Sequence, residues 1–73
     1  MSNDEKAELL KLASRVLFHA DDIIKNVLAV LDSTDKTKQT IHLRLILEAI
    51  GQFEFALERL AKLAQSKIDR LVN

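Results

Sequence analysis

Between Leu9 and Leu31 the apolar residues fall on three seven-residue lines: Leu10, Leu17, Ile24 and Leu31; Ala13, Ala20 and Val27; Leu9, Val16, Ile23 and Val30. Those lines are neighbours on one face of an α-helix, so the pattern predicts a helix with a broad apolar stripe. Leu12 and Leu28 lie at its two edges. Phe18 does not fit: at about 100° per residue it projects nearly opposite the centre of the stripe. The helix is expected over residues 3–32. Ser2 followed by Glu5 is a capping-box pattern, with Asn3 or Asp4 as alternative caps, and nothing from there to Asp32 breaks a helix.

The turn is expected at 33–35. Asp32, Ser33, Thr34 and Asp35 have short polar side chains that bond nearby backbone and so collect at turns and N-caps, with Thr34 or Asp35 capping the next helix. A second helix is expected over 36–72, with Leu43, Ile50, Leu57, Ala64 and Leu71 on one line and Ile46, Phe53 and Leu60 on the next. Ala49, Ala56, Leu63, Leu47, Ala61 and Ile68 flank them, Ile41 and Leu45 lie at or beyond one edge, and Ile41 is expected under the loop. Lys67 falls on the apolar face but level with the chain start, where its ammonium can reach water. So short a connection folds two helices back as an antiparallel hairpin. Gly51 costs about 1 kcal/mol relative to alanine inside a helix, which leaves two readings: a tolerated defect, or close passage of another backbone or a bulky ring.

Each stripe spans an arc of about 160°, wider than one helix facing one partner needs. A 73-residue chain without cysteine has no disulfide to supplement a small core, so association is the expected remedy. The expectation is all-α: a single helical hairpin dimerising with two-fold symmetry into a four-helix bundle. Its dimer core would contain Leu10, Leu17, Ile24, Leu31, Ile46, Ile50, Phe53, Leu57 and Leu60. Ala13, Ala20, Ala49 and Ala56 alternate with large residues, as layered bundle cores do.

Composition narrows the function classes. Eleven basic and eleven acidic residues cancel, so no long-range field gathers nucleic acid or anionic lipid. Pairs such as Asp21 and Lys25, or Glu58 and Lys62, stand in the favourable order for surface ion pairs. Lys25 and Asn26 interrupt the longest apolar stretch well short of a membrane span, and Asp4, Glu5 and Glu8 stand where a secretory signal is basic and then apolar. A cytoplasmic protein with no membrane partner is expected.

Catalytic parts are missing. There is no cysteine nucleophile, Gly-rich phosphate loop or serine elbow. His19 and His42 lack the one-turn spacing of metal ligands, Asp22 with Asn26 could at most share a cation with solvent, and Glu54 with Glu58 lie outward in water. No enzyme activity, cofactor or metal is expected. The residues left over are Phe18 and Phe55, both outside the stripe of their own helix and, with the turn near mid-chain, roughly level with His19 and Gly51. Outward aromatics mark places where binding energy concentrates. Phe18, Phe55, Gly51 and His19 are therefore the expected partner-binding band of a non-enzymatic interaction or regulatory protein, as in small regulators, antirepressors and chaperones.

Two resemblances supply alternatives. The plan of a short dimerising hairpin with alanine and leucine layers, and an outward Phe18 with Lys11, Arg15 and Lys25 near it, resembles Rop-type plasmid copy-number proteins, which implies RNA binding. Asp21 and Asp22 would repel the phosphates such a partner presents. A histidine in the first helix of a dimeric hairpin resembles the phosphoacceptor domain of sensor histidine kinases, which implies a phosphohistidine carrier through His19. Here Ala20 follows the histidine and proline is absent.

Overall fold

A computed structural model describes residues 1–72 as two α-helices, α1 (Asn3–Asp32) and α2 (Lys36–Val72), packed as an antiparallel all-α hairpin. The molecule is long and thin, 56 × 17 × 13 Å. At about 1.5 Å per residue a helix of α2's length accounts for the whole long dimension.

The ends are set by local hydrogen bonds. Ser2, extended at φ −70° and ψ 166°, closes the expected capping box with Glu5. Its Oγ accepts the Glu5 N–H at 3.2 Å and Glu5 Oε1 accepts the Ser2 N–H at 3.3 Å. Asp35 caps α2, its Oδ1 accepting the Thr37 N–H at 2.9 Å. Gln39 Nε2 donates to the Ser33 carbonyl at 2.6 Å, so the second helix ties down the end of the first. The predicted surface pairs also form, Asp21 with Lys25 at 2.9 Å and Glu58 with Lys62 at 3.0 Å.

One seam joins the helices. From α1 it takes Glu5, Leu9, Leu12, Val16, His19, Ile23, Asn26, Val30 and Ser33; from α2 Gln39, His42, Ile46, Ala49, Phe53, Ala56, Leu60, Leu63 and Lys67. All are buried or half-buried, and the steps alternate between three and four residues, the spacing of a coiled-coil core. Among the described residues Leu12, Ala49 and Ala56 are the buried ones, and the rest of the seam is half-buried.

Three expectations change. Lys67 does not turn to water: its side chain is 13% exposed and pairs with Glu5, because the capping carboxylate lies directly across from it. His42 sits inside the seam, with Nδ1 3.0 Å from Asn26 Oδ1. Asn26 Nδ2 is committed to the Asp22 carbonyl at 2.9 Å, so its oxygen must accept and His42 Nδ1 carries the proton. Asn26 thus serves the seam and not a cation shared with Asp22. Ile41 lies outside the loop's cover, 52% exposed, because the tight turn does not fold over α2.

Candidate functional site

The residue following each seam residue decides what the hairpin presents to solvent. In α1 from Leu9 to Val30 these are Leu10, Ala13, Leu17, Ala20, Ile24, Val27 and Leu31; in α2 from His42 onward they are Leu43, Leu47, Ile50, Glu54, Leu57, Ala61, Ala64 and Ile68. Glu54 is the one charged member. One residue is a turn of about 100° in the same sense on both helices. Two facing antiparallel helices related by a two-fold axis therefore point these rows to the same side of the hairpin. That side is a second three-four seam with nothing on it: in α1 exposure ranges from 39% at Val27 to 76% at Leu31, with Ala20 half-buried, and in α2 Leu47 and Leu71 are as open as Leu31.

Four of the expected dimer-core residues, Leu10, Leu17, Ile24 and Leu31, form this open row on α1. Ile50 and Leu57 belong to it on α2, both more covered than the leucines of α1. Ile46, Phe53 and Leu60 lie in the seam between α1 and α2, within the hairpin's own core.

The four expected partner-contact residues do not converge on one spot. Counted from the Glu5–Lys67 contact, Phe18 and Phe55 stand about 20 Å and about 18 Å along their helices, at one height. Both are outward, 68% and 59% exposed. Phe18 lies with Ser14, Leu17 and Asp21 around a shallow hollow on α1. Its ring meets the His19 ring edge-on, centroids 5.5 Å apart. Phe55 lies with His19 along a groove between the helices. Gly51 faces open space, with nothing within 4 Å of where a Cβ would stand. No ring or backbone of this chain passes it.

The groove beside Phe55 contains residues not picked out together by sequence: Arg15 and His19 from α1, Gln52 and Arg59 from α2, over Leu12 and Ala56. The Arg59 guanidinium lies 5.9 Å from the Phe55 ring centroid, a cation–π contact. The signal for it was the one-turn spacing of Phe55 and Arg59. Arg15 belongs to this groove and not to the hollow at Phe18. At the open end Glu5 Oε2 accepts from both Lys67 Nζ and Arg70 Nη1. The Lys67 hydrogen bond foremost, then the Ser2 N–H, lowers the Glu5 carboxyl from 4.5 to about 2. Asp21, hydrogen-bonded to Lys25, raises that lysine above its ordinary range.

Among the described residues no group of three or more His, Cys, Asp or Glu side chains could hold a metal ion. No helix among them is long and apolar enough to cross a membrane. No family model matches the chain, and no curated protein or solved structure matches it either.

Proposed function

We propose that this chain is a non-enzymatic interaction protein of the regulatory type, working as a homodimeric four-helix bundle that binds a partner protein with the surface the dimer leaves open. The single observation behind this reading is the second seam, a row of apolar residues one position after the first, exposed along nearly the full length of both helices.

Area supports it. A compact monomer of 8.3 kDa exposes roughly 4,600 Å². This hairpin exposes 5734 Å², an excess of about 1,100 Å². Doubled for two copies, the excess reaches the range of obligate dimer interfaces, upward of about 2,000 Å² in total. Two helices form a single layer, whereas stable domains pack at least two layers around a core. A second copy, turned face to face by a two-fold axis, supplies the missing layer.

The test is sedimentation of the wild type beside Leu17→Glu. A dimer that the glutamate dissociates supports the reading; a wild-type monomer removes it. The RNA-binding alternative has less behind it, since Lys25 near Phe18 is held by Asp21. The phosphohistidine alternative is weakened too. His19 is half-buried in the seam, its ring edge-on to Phe18.

A further inference from the structure

On the side away from the open apolar face, the helices leave a groove of about 230 Å³ floored by Leu12 and Ala56, both buried. Arg15 and Leu17, Gln52 and Ile50, and Arg59 and Leu57 are each two positions apart, about 200° around their helices. A dimer formed through the leucine row therefore leaves this groove accessible.

Its walls carry two guanidiniums, an imidazole and a carboxamide, and no carboxylate. Neither Arg15 nor Arg59 has an ion-pair partner among the described residues; Lys6, Lys11, Lys36, Lys38 and Arg44 share that state, but none of them lines the groove. The Arg59 guanidinium carbon lies 5.9 Å from the Phe55 ring centroid, a contact that uses none of its N–H donors. Unpaired arginines from two helices at one groove make a fork suited to a carboxylate or phosphate, the oxyanions that arginine binds through two N–H groups at once. The Phe55 ring and the Leu12 and Ala56 floor suit an apolar group beside that anion.

Charge limits the size of the ligand. Glu8 and Asp22 stand seven residues either side of Arg15, on its own line of α1. A nucleic-acid backbone running along the groove would meet a carboxylate about 10 Å from the arginine in each direction. One anionic group entering crosswise would not.

We propose that the groove lined by Arg15, His19, Gln52, Phe55 and Arg59 is a binding site for a single oxyanion carried on an apolar stem. In the partner-binding dimer, on which this rests for its biological meaning, it receives an acidic or phosphorylated side chain of the partner protein. Binding at the groove is itself measurable whether or not the chain dimerises.

The experiment is a two-dimensional NMR titration of the whole chain with 3-phenylpropionate, phenyl phosphate, 3-phenylpropionamide and a short single-stranded RNA. Saturable shifts at the Arg15 and Arg59 side-chain N–H groups with either anion are expected, with a Kd on the order of 1 mM for so small a probe. The better-bound anion distinguishes a carboxylate source from a phosphate source. The neutral amide should give no saturable shift. Arg15→Ala with Arg59→Ala should weaken the anion at least about tenfold, and Arg15→Lys with Arg59→Lys by less, since lysine keeps the charge and loses the fork. Absence of saturation with both anions, equal response to the amide, or tighter binding of the RNA overturns the proposal. Sedimentation of the same samples reports dimerisation separately, so a monomer that binds the anions defeats the dimer alone, and a dimer that binds neither defeats the groove alone.

Discussion

Glu5 and Lys67, 62 positions apart in the chain, meet across the open end of the hairpin, where the carboxylate that caps α1 also holds the last turns of α2. One side chain thereby joins a local signal to the tertiary register. Its acidity follows: Lys67, the Ser2 N–H and Arg70 all favour the charged form and bring Glu5 to about 2 from 4.5. A carboxyl lowered on folding contributes stability that is fully present above its unfolded value and disappears as pH falls through its folded one. The denaturation midpoint of wild type should exceed that of Glu5→Gln near neutral pH, and the two should converge as pH drops from about 4.5 to about 2. Urea titrations of both proteins across that range check it; a constant difference would contradict the contact.

Gly51 faces open space, so a methyl group there meets nothing and the helix gains propensity. Gly51→Ala should stabilise the fold by about 1 kcal/mol, a rise in Tm of roughly 4–8 °C for a domain this small. Thermal unfolding followed by circular dichroism decides it. A fall in Tm would mean that something outside this chain packs against the outer side of α2.

Gln39 supplies the turn's long-range tie through its bond to the Ser33 carbonyl. Gln39→Ala should cost about 1 kcal/mol, the net worth of a typical hydrogen bond. Hydrogen exchange should quicken first at the end of α1. If only α2 loses protection, the tie is not what holds the turn.

Phe18 and Phe55 lie outside both seams. Phe18→Ser with Phe55→Ser should change folding stability by no more than about 0.5 kcal/mol per site, the usual range for surface changes. Sedimentation should be unaltered. Loss of the dimer in that double variant would place the rings in the interface and not on the surface kept for a partner.

The hairpin was readable from the chain because its signals are local: the Ser2–Glu5 box, the polar run Asp32 to Asp35, and uninterrupted heptad spacing on either side. What could not be separated was which apolar line faces the other helix. Leu9, Val16 and Ile23 are as hydrophobic as Leu10, Leu17 and Ile24, and pattern alone weighs them equally. The discriminating marks were polar residues that looked like blemishes. Glu5, His19, Asn26, His42 and Lys67 all fall on the inner seam, and apart from His19 each finds a polar partner there. Ile46, Phe53 and Leu60 turn inward for the same geometric reason, being in step with His42 and Lys67. The groove was hidden because Arg15 and Arg59 are far apart in the chain, and only the antiparallel register brings them to one side.

If the leucine row is half of an interface between two copies, glutamates placed in it on both helices should take the copies apart. Sedimentation equilibrium of the wild-type protein and of Leu17→Glu with Leu47→Glu tests it most directly. Wild type should sediment at twice the 8.3 kDa chain mass, and the variant at a single-chain mass with sharply reduced helicity. A wild-type protein that remains a well-folded monomer across the concentration range would contradict it.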